Sequence, residues 1–283
     1  MNDGHTDVQS VSEESSMSTR HIAAPLALAA TLAMSPNTSP TSFAPSTVHN
    51  IVLVHGAFAD GSSWSKVIPL LTAKGYHVIA VQNPLTSLAD DISATERAIA
   101  MQDGPVILVG HSWAGMVITE AGNDPKVVGL VYVAAFAPDD GQSITETTKG
   151  FPAAPGLGEA KPDASGFLSL TRKGVDEYFA PDLPAAQRAV VYATQGPWSS
   201  KALNDKITRA AWKTKPSWYI AVNDRMISPE YERARAQQIN ATTTILNTNH
   251  VAMLSQPRAV TTVIIDAASK AMSQSAAPNA KAR

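Results

Sequence analysis

Pro105–Gly115 (PVILVGHSWAG) decides the fold. Pro105–Gly110 is a short continuous apolar run, the pattern of a strand buried on both faces. It leads directly into His111, Ser112 and Trp113, after which a helix is expected. A serine on such a strand–turn–helix elbow presents its hydroxyl outward at the sheet edge. The tight turn demands small residues two positions to either side, here Gly110 and Ala114. Ala114 stands where the commonest form of the motif has glycine, and Gly115 follows it. The five-residue string alone is weak; its place between a buried strand and a helix strengthens it.

The same alternation extends outward. Strands are expected at Asn50–Val54, His77–Val81, Val127–Phe136, Ser217–Val222 and Thr243–Leu246, besides Pro105–Gly110. Trp64, Val67, Ile68 and Leu71 fall at helical spacing before Gly75, with Pro69 expected to kink that helix and Trp64 to join the core. Leu88, Ile92 and Ile99 mark another helix, started by Ser87 and Asp90 as a capping pair. A last helix is expected over about Gln256–Ala271. Six buried strands alternating with helices predict an α/β fold: a mostly parallel sheet covered on both faces.

The 80 residues between Phe136 and Ser217 are too many for an ordinary connection, which takes about 2–6. With helical candidates at Phe167–Thr171, Ala185–Thr194 and Leu203–Trp212, residues 137–215 read as an inserted helical cap. It would cover the strands' C-terminal edge, where open α/β sheets bind ligands. The alternative is an irregular excursion packed elsewhere. Residues 50–136 and 216–275 then form the core, and residues 276–283 a frayed tail.

Residues 1–49 differ in pattern. Ile22–Met34 is a 13-residue apolar run behind Arg20 and His21, followed by a Ser/Thr/Pro-rich linker. Asp3, Asp7, Glu13 and Glu14 are wrong for the positive start of a signal peptide, but a start at Met17 removes them. Residues 17–34 thus read as an export signal, which would make the protein secreted or periplasmic. The alternative is a disordered tail on a cytoplasmic protein. The run is too short to span a bilayer comfortably, so no stable membrane insertion is expected.

Composition narrows the chemistry. The 283 residues are 44% hydrophobic, enough for a sizeable core, which excludes wholesale disorder. With 22 basic against 24 acidic residues there is no surplus to neutralise phosphates, so nucleic acid is not the expected partner. The absence of cysteine excludes disulfides, thiolate metal sites and a cysteine nucleophile. Neither an HExxH nor an H-x-x-x-H spacing occurs, nor a P-loop. Gly156-Leu157-Gly158 lacks a preceding strand and the third glycine of a dinucleotide fingerprint, where Lys161 stands. No metal and no cofactor are expected.

A serine hydroxyl needs a base. Seven histidines occur, at positions 5, 21, 49, 55, 77, 111 and 250, and His250 alone follows Ser112, in a loop after the last strand. Asp224, at the end of the fifth strand, is the favoured acid to orient it; Asp139 or Asp140, past the fourth strand, are rivals. The Trp113 amide at the helix start is a natural oxyanion donor. The second should come from the loop after the first strand, with Ala57 first choice and Phe58 second; His55 is expected to be structural. Phe58, Trp113 and Trp198 are expected to line an acyl or alcohol pocket. Trp198 and Trp212 can equally anchor cap helices, and Met226 is similarly ambiguous.

His55-Gly56-Ala57, Trp64, Gly110-His111-Ser112, Asp224 and His250 together resemble the α/β-hydrolase superfamily. Within it, His250–Pro257 (HVAMLSQP) is similar to the small carboxylesterases grouped with plant methylesterases and their bacterial esterase-like relatives. The resemblance spans roughly residues 50–270 and implies a Ser-Asp-His esterase of small-molecule esters, acting without cofactor. Ala57 matches the family's second oxyanion donor. Sister hydroxynitrile lyases carry lysine after the histidine and threonine after the first-strand histidine. Here Val251 and Gly56 stand there, which argues against lyase chemistry. A lyase on the same triad, or a ligand-binding relic without turnover, are the alternatives; oligomeric state is not legible.

Overall fold

A computed structural model describes residues 48–275. The expected export signal at 17–34 and the tail at 276–283 lie outside them. Six strands form one parallel sheet: β1 (Asn50–Val54), β2 (His77–Val81), β3 (Val106–His111), β4 (Val127–Val133), β8 (Ser217–Ala221) and β9 (Thr242–Ile245). Their spatial order is β2-β1-β3-β4-β8-β9. The inner strands β1, β3 and β8 are wholly buried, as continuous apolar runs dictate. The edges are not: β2 is only partly covered, and β9 (TTTI) is mostly exposed. β-branched residues suit an edge strand whose outer face meets water.

The chain leaves β1 to build β2 on one side, then returns to place β3 on β1's other side. That reversal opens a crevice beyond the C-terminal ends of β1 and β3, the usual ligand position in such sheets. Gly56 and Ser112 stand at its two lips.

Helices α1 (Ile68–Thr72), α2 (Leu88–Ala100), α3 (Ala114–Ala121), α7 (Pro229–Gln238), α8 (Ala252–Ser255) and α9 (Pro257–Ser275) cover the sheet. Ser87 caps α2, its hydroxyl accepting the Asp90 N–H at 3.1 Å. Pro69 does not kink a helix. Gly61–Trp64 is a separate 3₁₀ turn, and α1 begins at Ile68 with proline in its first turn, where no intrahelical donor is needed. Trp64 is fully buried.

The excursion from Ala137 to Pro216 contains α4 (Ile144–Thr147), β5 (Ala160–Pro162), β6 (Phe167–Leu170), α5 (Arg172–Gly174), α6 (Ala185–Thr194) and β7 (Trp198–Ser199). Two helical expectations fail there. Phe167–Thr171 is not helical: β6 occupies it, paired antiparallel with β5 and β7. Leu203–Trp212 holds only the ends of two short 3₁₀ turns, Ser200–Asn204 and Ala211–Lys213. α6 matches its expected bounds. Among the described residues no helix is long and apolar enough to cross a membrane.

Candidate active site

Ser112 sits beyond β3 with φ +56°, a left-handed conformation that costs a non-glycine residue about 1–2 kcal/mol. Neighbouring backbone holds it there. Its N–H donates to the Val133 carbonyl (3.2 Å), while its own carbonyl accepts from Gly115 (2.9 Å) and Phe136 (3.2 Å). The turn needs small residues for identifiable reasons. A Cβ on Gly110 would lie 2.8 Å from the Ala114 carbonyl oxygen, and one on Gly115 only 1.8 Å from that of Phe136. The strictest requirement therefore falls on Gly115, and the alanine at 114 is accommodated. Gly56 is equally constrained, since a Cβ there would approach Ser112 Cβ to 2.7 Å.

His250 Nε2 is 2.9 Å from Ser112 Oγ, and His250 Nδ1 is 2.5 Å from Asp224 Oδ2. All three residues are buried. The Asp224 carboxylate is fixed further by the Met226 N–H, 2.6 Å from Oδ1. The loops carrying acid and base are tied together: Asn223 N–H donates to the Thr248 carbonyl at 3.0 Å, and its side-chain amide to Asn247 Oδ1 at 2.8 Å. Asp224, and neither Asp139 nor Asp140, is the carboxylate that meets the His250 ring among the described residues. Asp139 and Asp140 both pair with Lys213, and Asp140 also accepts the Ala210 N–H, which secures the excursion.

Ala57, Phe58 and Trp113 border the space above Ser112. The amides of Ala57 and Trp113 donate to no acceptor among the described residues, so each is available to a ligand oxygen. His55 locks the loop that carries Ala57. Its Nδ1 donates to the Gly56 carbonyl (2.8 Å) and its Nε2 accepts the Asn83 N–H (2.9 Å). Burial lowers its pKa, consistent with a neutral ring in that role.

Phe58 meets Trp198 edge-on, with ring centroids 5.8 Å apart, and Trp198 leans on Trp113 at 5.1 Å. Trp198 lines the space above Ser112, whereas the Trp212 indole is tied to the Pro138 carbonyl (2.7 Å) and is absent from that lining. The immediate cavity is small, about 20 Å³, bounded also by Phe136, Ile144, Leu157, Leu203, Met226 and Ile227. Beyond Ile144, Leu157 and Met226 lies a chamber of about 570 Å³ that adds Phe151, Pro155 and Tyr231. Among the described residues no Lys, Arg, Asp or Glu lines either space.

Several site residues escaped the sequence reading. His111 Nε2 contacts the His250 carbonyl at 3.0 Å, and Phe179 packs against the His250 ring at 5.2 Å. Burial lowers the His111 pKa well below its ordinary value, so the ring is neutral and donates to that carbonyl. Asp182, from the excursion, accepts from the Thr248 hydroxyl and from Asn249 N–H (3.0 Å), clamping the loop before His250. Asp91, fully buried, accepts the Trp113 indole N–H at 2.7 Å. Each contact joins segments far apart in sequence and leaves no local pattern.

Comparison with known proteins agrees with this architecture. The chain is 27% identical over 247 residues to the alpha/beta hydrolase nvfD of Aspergillus novofumigatus, covering 78% of this chain and 97% of that one. It is 33% identical over 106 residues to Methylesterase 2 of Arabidopsis thaliana, which is 32% of this chain and 40% of that protein. The crystal structure of the pyrethroid hydrolase PytH superposes with a TM-score of 0.69 at 24% identity, covering 78% of this chain and 98% of that one. The profile of the Alpha/beta hydrolase family matches residues 51–263, and the chain belongs to that family.

Proposed function

We propose that the protein is a serine carboxylesterase acting on small, uncharged, largely apolar esters. The carrying observation is the buried relay from Ser112 through His250 to Asp224 at the mouth of an apolar chamber. Ser112 Oγ attacks the ester carbonyl while His250 Nε2 takes its proton; Asp224 holds the tautomer and stabilises the imidazolium. The amides of Ala57 and Trp113 receive the developing oxyanion, a contribution of about 3–4 kcal/mol per donor in related chemistry. The imidazolium then protonates the departing alcohol. Water activated by His250 releases the acid from the acyl-serine.

The chamber supports the substrate class. A cavity of about 20 Å³ beside Ser112 admits the reacting carboxyl end, and the adjoining 570 Å³ houses a larger apolar part. A charged ester would enter a lining that offers no counter-charge. Relatives named methylesterase and pyrethroid hydrolase accord with ester cleavage. In this reading residues 137–215 are the cap, because Ile144, Leu157, Trp198 and Leu203 all come from that excursion. Active-site titration with a fluorophosphonate tests the mechanism. One adduct per chain on the Ser112 peptide, lost in Ser112→Ala, is expected; no adduct on the folded protein would overturn it.

A further inference from the structure

We propose that Glu232 shares one proton with Asp224 and, as a neutral carboxyl group, donates the hydrogen bond that steadies the Asp224 carboxylate against His250. Glu232 lies in the first turn of α7 with no exposed surface. Its Oε2 accepts the Val222 N–H at 2.9 Å, which anchors the end of β8. No donor reaches its Oε1 among the described residues. The Val222 anchor, two residues before Asp224 in the chain, sets the Glu232 carboxyl beside that of Asp224, whose charge it feels. Two ionised carboxylates are acceptors only, so such a pair would bury two like charges with no proton between them.

One proton resolves the conflict, and its location follows from the partners. Asp224 already receives the Met226 N–H on one oxygen and faces His250 Nδ1 with the other. Glu232 has only the Val222 N–H. The charged form is better supported on Asp224, and the proton belongs to Glu232. Burial and the Asp224 charge both push the Glu232 carboxyl well above its ordinary range. The other groups facing it do not reverse this. Tyr219 from β8 is neutral, its own ionisation made harder above all by burial. Arg233 exerts only a minor opposing pull. Arg235 is engaged elsewhere, with Gln142, Gln238 and Thr147.

Glu232 is therefore a positioning residue, and its effect on turnover rests on the esterase reading above. Two variants test it, Glu232→Gln and Glu232→Met. Glutamine reproduces a neutral group that accepts from Val222 and donates to Asp224. It should hold kcat within about threefold at neutral pH and leave the acid limb of the pH–rate profile in place. Methionine fills the volume without the donor, and kcat should fall about tenfold with KM unchanged. Infrared difference spectra should show a protonated-carboxyl C=O band at neutral pH that Glu232→Gln removes. An acid limb displaced downward in Glu232→Gln, wild-type kcat in Glu232→Met, or a missing band would each overturn the proposal. A folded protein that shows the band but cleaves no ester would contradict the esterase reading and leave the carboxyl pair standing.

Discussion

Asp91 ties the scaffold to the candidate oxyanion site, and its ionisation should be visible in stability. Its carboxylate accepts the Leu85 N–H at 2.8 Å and the Trp113 indole N–H at 2.7 Å, with no surface exposed. Desolvation outweighs both hydrogen bonds and pushes its pKa up to about 6, from an ordinary 3.8. Between those values the native state keeps a proton that the unfolded chain has lost. The contribution is fully present below about pH 4 and is lost as pH rises through about 6. At 1.36 kcal/mol per unit this amounts to about 3 kcal/mol. The wild-type curve alone will not isolate it, because His55 and His111 have lowered pKa values and give the opposite slope in an overlapping window. Asp91→Asn removes the titration and adds a pH-independent cost of about 1–3 kcal/mol, since one N–H donor must then face the amide NH₂. Urea unfolding of both proteins from about pH 4 to 8 is the assay. The wild type's advantage over the variant should shrink by about 3 kcal/mol as pH rises through 6. Parallel curves, or an advantage that grows, would refute the reasoning.

Other expectations follow from single contacts. Gly115→Val should destabilise by more than about 3 kcal/mol, because its Cβ would overlap the Phe136 carbonyl and force α3 from the end of β4; thermal unfolding reads this. Asp182→Ala should lower kcat about tenfold while the fold persists, by releasing Thr248 and Asn249 ahead of His250; steady-state kinetics beside circular dichroism would show it. Trp198→Ala should cost about 3 kcal/mol of stability and shift preference toward longer esters, because Trp198 closes the cavity against Phe58 and Trp113. The ratio of laurate to acetate cleavage measures that shift.

The sheet was legible because its inner strands are continuous apolar runs with turn signals at their ends. The elbow was legible because Ser112 follows such a run directly, and His250 because it is the sole histidine after that serine. The excursion was not legible for a physical reason. Phe167–Leu170 is too short for its spacing to separate helix from strand, and its pairing with Trp198–Ser199 is non-local. Leu203–Trp212 carries apolar residues at helical intervals but is held by tertiary contacts, such as Trp212 to Pro138, rather than by a helix. The helical spacing of Trp64 and Leu71 hides a break between two elements, and Pro69 marks the start of the second because its missing N–H costs nothing there. Glu232 was hidden in PEYERARAQQ, a charged stretch that reads as a solvated helix face until the fold buries it.

The central claim is that Ser112 forms an acyl-enzyme with ester substrates. Hydrolysis of p-nitrophenyl esters from acetate to laurate, by wild type and Ser112→Ala, tests it most directly. The account predicts turnover in the wild type, with an initial burst where deacylation is slow, and loss of all but a trace in the variant. Equal hydrolysis by a well-folded Ser112→Ala protein would contradict it.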